Sequence, residues 1–341
     1  MKKKQLISII ITGLVIIAVG VTGVAANIIQ EKILNKMTES SESSEESFWQ
    51  SFISNDVSDC ISIPEDDFIG VLNIVDVIGP SSTGFSSSNA YNHDLYMEYI
   101  DQMIDAKNNK AIYLYVNSPG GNVYESDELY LKLLEYKEKT GRPVYAFFSS
   151  EACSGAYYIS MAADRIYANR NCWTGSIGVI VSLTNLKGLY DKLGIKEIDI
   201  TSGKNKAMGS SGLDLTDEQY EILQGLVDEA YDQFVEIVST GRGIDEATVR
   251  QLADGRIYSA KQAQENGLID EVCLEKEAKE AMLSELGVSS DIEFYAPENA
   301  VDDMFSQLFG AVESLIPHSD ADLATDIVEN KGSGVLQYYA K

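Results

Sequence analysis

Strand-like and helix-like hydrophobic patterns alternate through the middle of the chain. Runs rich in β-branched residues predict strands at residues 68–78, 111–116 and 143–148. Between the last two, apolar positions recur at helical spacing from residue 123 to 140. Strands that alternate with helices predict βαβ units, a mainly parallel sheet and therefore an α/β fold.

Further along, the chain continues the same alternation. A short helix is predicted from Ser154, directly after the third strand, and a strand near residues 165–168. The pattern from residue 216 to 238 predicts a long amphipathic helix, for which Thr216 and Gln219 suit a capping box. From Ala296 the chain predicts one more helix and a flexible extension.

The amino-terminal region has the pattern of a membrane segment. Lysines at residues 2–4 precede an uncharged apolar run at residues 6–29, which as a helix spans about 36 Å, enough to cross a hydrocarbon core of about 30 Å. The lysines favour a cytoplasmic amino terminus. A cleaved signal peptide is the alternative, because Val24-Ala25-Ala26 resembles a cleavage site, but signal cores are shorter, at roughly 7–15 residues. We expect a retained single-pass anchor in the cell membrane, with the folded domain extracellular.

Four parts follow from these patterns. Residues 1–36 form a cytoplasmic stub and anchor, and residues 37–67 include an acidic, serine-rich linker with no apolar face to bury. Residues 68–275 form the α/β domain, and residues 276–341 form a helix and flexible tail.

Composition excludes several function classes. Acidic residues outnumber basic ones by 53 to 26, giving a formal net charge of -27, so we expect no nucleic-acid partner. The four cysteines are scattered without a CxxC pair, which argues against a zinc site and a disulfide framework. Cys153 is expected to be a small buried residue. No cofactor is predicted.

A candidate nucleophile lies where the third strand meets the short helix. Ser154 follows Cys153, and a serine needs a neighbouring base to take its proton. The chain has only His93 and His318, neither of which is suitably placed, and this scarcity favours lysine as the base. A simple helix cap is the alternative role for Ser154.

A lysine base must be neutral, which burial favours by lowering a lysine pKa by several units. Lys204 and Lys206 both follow Gly203, and local chemistry does not separate them. A nearby hydroxyl could hold the lysine, and Ser176 is a candidate.

Glycines supply candidate donors for an oxyanion. Pro119-Gly120-Gly121 closes the second strand, and its spacing fits neither a dinucleotide fingerprint nor a P-loop. Gly121 and Gly155 could direct two backbone N–H groups at one oxygen. A plain turn is the alternative for the glycine pair.

Residues 112–272 resemble the serine protease domain of bacterial signal peptide peptidases of the SppA type. The resemblance rests on five pieces in matching order and spacing: VNSPGG (116–121), CSGAYYIS (153–160), TGSIGV (174–179), SGKNK (202–206) and DGRIYSAKQAQENGLID (254–270). The chain departs from the family pattern at Cys153, Ala156 and Asn122, which concerns pocket shape more than chemistry.

The resemblance implies a role for each candidate residue. Ser154 resembles the nucleophile, Lys206 the general base, Ser176 the hydroxyl that positions the lysine, and Gly121 and Gly155 the oxyanion donors. It further implies a crotonase-like, Clp-protease-like superhelix, a homo-oligomeric ring or dome, and remnant signal peptides as substrates.

Three hypotheses follow. The first is a membrane-anchored serine endopeptidase with a Ser/Lys dyad. The second is a catalytically inactive crotonase-like membrane scaffold, and the third is an acyl-CoA enzyme on the same fold, which an extracellular location disfavours. In addition, residues 335–340 are apolar and could lie in the active-site groove as an extended strand.

Overall fold

A computed structural model describes residues 61–80, 91–297 and 337–339, the last for the backbone only. All of them fall in one compact unit, Cys60–Lys341. The predicted anchor at 6–29, the acidic stretch at 37–47 and most of the tail lie outside the described residues. Within the described ranges, no helix combines the length and the apolarity that crossing a membrane requires.

The described residues contain ten strands, most of them short. They are β1 (Phe68–Val75), β2 (Asn109–Ser118), β3 (Gly120–Asn122), β4 (Val144–Cys153), β5 (Arg165–Ala168), β6 (Trp173–Gly175), β7 (Ile257–Ser259), β8 (Glu271–Val272), β9 (Glu293–Tyr295) and β10 (Gln337–Tyr339). The three strands predicted from hydrophobic runs are confirmed as β1, β2 and β4.

Eight α-helices lie between these strands in the described part of the chain. They are α1 (His93–Asp105), α2 (Val123–Thr140), α3 (Gly155–Ser160), α4 (Lys187–Leu193), α5 (Asp217–Arg242), α6 (Glu246–Leu252), α7 (Ala260–Glu265) and α8 (Glu275–Leu286). The predicted capping box is present at the start of α5, where Thr216 and Gln219 exchange side chain-to-backbone hydrogen bonds of 3.1 and 3.2 Å.

One sheet has the order β7-β6-β4-β2-β1-β9, with β5 beside β4 and β8 beside β5. Its pairings are parallel, except for β6 with β7. On one face, α8 packs against the sheet within a buried cluster that includes Ile69, Tyr113, Tyr145, Ala278 and Met282. The predicted α/β class with mainly parallel pairing is confirmed.

The central strand β4 changes partner along its length. Residues 145–148 pair with β5, whereas residues 151–153 pair with β6. The sheet therefore forks just before Ser154, and the fork opens at the carboxyl ends of β2 and β4. Ligand sites of open α/β sheets form at this edge.

A short turn after β1 supports the neighbouring strand β3. Asp76 has φ 64°, which ends β1 before residue 78. Ile78 then runs beside β3: its N–H donates to the Gly120 carbonyl at 2.9 Å, and its own carbonyl accepts from the Asn122 N–H at 2.9 Å. A Cβ atom on Gly121 would lie 1.9 Å from the Ile78 oxygen, so only glycine fits there.

Candidate active site

Ser154 joins β4 to α3 in a strained backbone conformation, with φ 54° and ψ -118°. A strained strand-to-helix turn is the geometry that aims a nucleophilic serine out of a sheet. The residue is fully buried, and its Oγ has no hydrogen-bond partner among the described residues. The hydroxyl does not cap α3, so the capping alternative is wrong.

Ser176 directly follows β6, the strand that pairs with the end of β4 next to Ser154. Cys153 pairs with Gly175, and the Ser154 N–H donates to the Gly175 carbonyl at 2.8 Å. Ser176 is buried and also has a positive φ, at 50°. Only three described residues other than glycine have positive φ, and two of them are Ser154 and Ser176. Such strain concentrates at functional sites.

The two candidate oxyanion donors lie on adjoining elements. Gly155 is the first residue of α3, so its N–H has no acceptor within the helix. Gly121 lies on β3, and both β3 and β2 contact α3. Helix amino termini carry partial positive charge, which favours an oxyanion.

The structure distinguishes the two candidate lysines. The Lys204 ammonium forms an ion pair with Glu218 at 2.7 Å, and its hydrogen bond holds the pKa of Glu218 below its usual value. Among the described residues, no carboxylate pairs with Lys206. In this part of the chain the Lys204 side chain is thus bound to a carboxylate and the Lys206 side chain is not, and Lys206 stays the candidate base.

Lys206 and Ser154 are not brought into hydrogen-bond contact in the single chain. Lys206 is exposed in a turn-rich segment, whereas Ser154 is buried. Residues 185–215, here named the exposed arm, contain α4, which buries none of its residues. Ile198 and Ile200 of the arm are 80% and 99% exposed.

Other nucleophile and base candidates have different roles. Burial raises the pKa of the Cys153 thiol, whose Sγ lies 3.6 Å from the Trp173 carbonyl oxygen. Cys153 is therefore a small buried residue, as the sequence predicted. His93 contacts the Tyr91 hydroxyl at 2.6 Å and Glu128 at 2.9 Å. His318 lies outside the described residues.

A segment of the chain's own tail lies at the site. Strand β10 pairs antiparallel with β3, with Tyr338 opposite Gly121 and Gln337 opposite Asn122. It also contacts α3, the helix that starts after Ser154. No pattern in the sequence marked β3 as a strand that accepts a partner. Only the apolar tail suggested that an extended strand lies in the groove.

Known proteins match the same region. The family model described as Peptidase family S49 matches residues 136–289. A protein of Enterococcus faecium named as a signal peptide peptidase SppA is 40% identical over 58% of this chain and 58% of its own length. A protein of Synechocystis named as a protease is 38% identical over 55% of this chain and 67% of its own. Protease 4 of Haemophilus influenzae is 34% identical over 58% of this chain and 32% of its own.

A strained, buried serine at a strand-to-helix turn is an arrangement typical of serine hydrolases. The chain belongs to peptidase family S49, among the SppA-type proteases. The matches span only part of the relatives, from about a third to two thirds of their length.

Proposed function

We propose that the protein is a membrane-anchored serine endopeptidase that cleaves apolar peptides, including remnant signal peptides, at the outer face of the cytoplasmic membrane. Ser154 is the nucleophile and Lys206 the general base. The observation that carries the proposal is the buried, strained Ser154, whose hydroxyl has no structural partner among the described residues. A group of that kind requires a functional explanation.

In the proposed reaction, Ser154 Oγ attacks the scissile carbonyl carbon while the neutral Lys206 amine takes the hydroxyl proton. The Gly121 and Gly155 N–H groups stabilise the oxyanion, each by about 2.7–4 kcal/mol. Lys206 returns the proton to the leaving amine, and the Ser154 acyl ester forms. Water then hydrolyses the ester with Lys206 again acting as base, while Ser176 holds the lysine in place.

The pairing of β10 with β3 supports a peptide as the ligand. A substrate added as an antiparallel strand to β3 would carry its carbonyl groups past Gly121. We propose that residues 337–339 occupy this groove in place of a substrate. This mode of binding favours a peptidase over an acyl-CoA enzyme, whose ligand offers no extended backbone.

The exposed arm supports assembly with further copies of the chain, as a ring or dome on a crotonase-like fold. Exposed apolar side chains such as Ile198 and Ile200 are typical of a surface that a partner covers. Because Lys206 lies within the arm, assembly would also bury the lysine and bring it to a serine. The site is completed, on this account, only in the oligomer.

A catalytically inactive scaffold is the alternative function. A scaffold has no use for strain at Ser154, which costs about 1–3 kcal/mol.

Membrane topology is a separate part of the proposal. The anchor at residues 6–29 would place the folded domain outside the cytoplasm, and protease protection of intact cells tests this orientation.

Cleavage of a quenched fluorescent apolar peptide by the full chain in detergent tests the function. We expect Ser154→Ala and Lys206→Ala each to lower kcat by at least about 1000-fold. Lys204→Ala is the matched control, since it removes an exposed charge two residues away and should retain activity within about two-fold. Wild-type turnover by Ser154→Ala would refute the proposal.

A further inference from the structure

The helix that carries the nucleophile is too short to hold its own position. Helix α3 has six residues, and helices of this length are not stable alone. It begins directly after Ser154, whose strained backbone persists only if the surrounding structure fixes it. Contacts from other elements must therefore supply the rigidity.

Tyr158 connects this short helix to two longer ones. Its N–H donates to the Ser154 carbonyl at 2.9 Å, and the side chain is fully buried. Its hydroxyl donates to Asp127 Oδ1 of α2 at 2.5 Å. The Gln233 Nε2 of α5 donates to the same Asp127 oxygen at 2.9 Å and to the Tyr158 hydroxyl at 2.7 Å.

These three side chains, named here the Tyr158 triangle, satisfy one another. The Gln233 amide has two hydrogens and uses one on each partner, while the Tyr158 hydroxyl both donates and accepts. Hydrogen bonds to a carboxylate are shorter and stronger than neutral ones. The Tyr158 ring also packs on Tyr130 and Phe234, with ring centroids 5.5 and 5.0 Å away.

Helix α5 extends the connection to the segment that carries the candidate base. Near its start, Gln219 Nε2 donates to the Lys204 carbonyl at 3.3 Å, and Glu218 binds the Lys204 ammonium at 2.7 Å. Gln233 lies on the same continuous helix, about 21 Å along its axis from Gln219 at a rise of 1.5 Å per residue. One rigid element therefore contacts both the lysine segment and the anchor of the nucleophile helix.

We propose that Asp127 and Gln233 are positioning residues, which act through Tyr158 to hold Ser154 and Gly155 in the reactive arrangement. None of the three has a place in the proposed bond-making steps. The inference rests on the proposed function, because the positioning role of these residues has meaning only if Ser154 is the nucleophile. It goes beyond that function by adding residues from α2 and α5 to the machinery.

The test uses Tyr158→Phe, Gln233→Met and the double variant in the full chain. We expect each single variant to lower kcat by about ten-fold with KM changed less than two-fold, below the roughly 100-fold that a 1 Å misplacement can cost. The double variant should lose little more than either single one, because the three groups act as a unit. Gln233 is exposed, so Gln233→Met keeps the test valid even if Tyr158→Phe folds poorly.

Tyr136→Phe is the matched control. Its hydroxyl is also buried and donates at 2.5 Å to Asn109 Oδ1, at the opposite end of β2 from the site. It should lower thermal stability as Tyr158→Phe does while leaving kcat unchanged.

A second readout separates this proposal from the proposed function. The rate at which a phosphonate ester labels Ser154 should fall in Tyr158→Phe and Gln233→Met, but not in Tyr136→Phe. Wild-type kcat and labelling rates in both variants would overturn the positioning role, as would a loss in Tyr136→Phe of the same size. Failure of the wild-type chain to react with the reagent would instead count against the proposed function.

Discussion

The backbone N–H of Ser154 donates to the carbonyl oxygen of Gly175 over 2.8 Å, and this bond joins the proposed nucleophile to the residue before Ser176. Gly175 has φ +83°, a conformation that favours glycine. A Cβ atom there would lie 2.6 Å from Tyr258 Cδ2. The position of Ser154 relative to Ser176 thus depends on a residue without a side chain.

We therefore expect Gly175→Ala to lower the free energy of unfolding by about 1–3 kcal/mol and to lower kcat more than ten-fold. Gly287→Ala is the control, because Gly287, after the end of α8, has φ +65° but nothing within 4 Å of its missing Cβ. It should cost stability from backbone strain alone and leave kcat unchanged. Equal activities of the two variants in the peptide assay would contradict this explanation.

The exposed arm gives a prediction about assembly. Ile198→Asp and Ile200→Asp should convert the proposed oligomer to smaller species on light scattering in detergent and abolish peptide cleavage, with unchanged circular dichroism. A charged residue in a buried interface is costly to desolvate, whereas on a free surface it is not. Leu274→Asp is the control, since Leu274 is exposed outside the arm. Full activity in a monomeric Ile200→Asp protein would show that one chain completes the site.

The tail strand should compete with substrates. Deleting residues 330–341 removes β10, and we expect kcat/KM for short peptides to rise several-fold, because an attached strand is present at an effective concentration of about millimolar. Replacing residues 320–329 by a Gly/Ser sequence keeps β10 and should change kcat/KM far less. An unchanged kcat/KM after the deletion would show that the tail does not compete with substrates for the groove.

Sequence alone could predict the long elements but not the local geometry of the site. Thr216 and Gln219 mark the start of α5, and the apolar runs mark β1, β2 and β4, because these signals are local in the chain. The apolar tail indicated an extended strand in the groove, but not its pairing with β3. The Ile78–Gly121 approach and the fork of β4 join residues distant in sequence through backbone groups. Backbone pairing of this kind leaves no periodicity for sequence analysis to detect.

The candidate site residues also fall into two groups, those that the structure brings to one region and one that it does not. Ser154, Ser176, Gly121 and Gly155 lie on adjoining elements around the fork, as the motifs suggested. Lys206 lies apart from them, in a segment that exposes apolar side chains. The Glu218 ion pair involves Lys204 and not Lys206, a difference that the motif could not indicate, and the choice of Lys206 stays a prediction.

The motif at residues 254–270 contributes to the stability of the fold through Asp270. Asp270 binds the guanidinium of Arg242 at 2.9 Å and accepts from the Ile166 N–H at 2.7 Å. Burial alone would raise the pKa of Asp270, but these hydrogen bonds and the Arg242 charge hold it below the usual value. A carboxyl with a lowered folded-state pKa stabilises the protein above its unfolded pKa of about 3.9, and that contribution is lost as the pH falls through the folded value.

Asp270→Asn should accordingly lower the free energy of unfolding at pH 7 by about 2–3 kcal/mol, because it leaves Arg242 poorly paired. The difference from wild type should narrow as the pH falls below about 4 toward the lower folded-state pKa, because the wild-type carboxyl becomes protonated as the pH passes that value. Urea unfolding at pH 7 and at pH 3 measures both. Asp254→Asn is the exposed control, with little change of midpoint expected, and a difference that stays constant with pH would contradict the ion-pair explanation.

Mass spectrometry of the full chain after reaction with a peptidyl phosphonate ester tests whether Ser154 is a nucleophile activated by Lys206. We expect one covalent adduct on Ser154, absent from Ser154→Ala, formed much more slowly by Lys206→Ala and at the wild-type rate by Lys204→Ala. An adduct that persists in Ser154→Ala, or that forms as fast without Lys206 as with it, would contradict these roles.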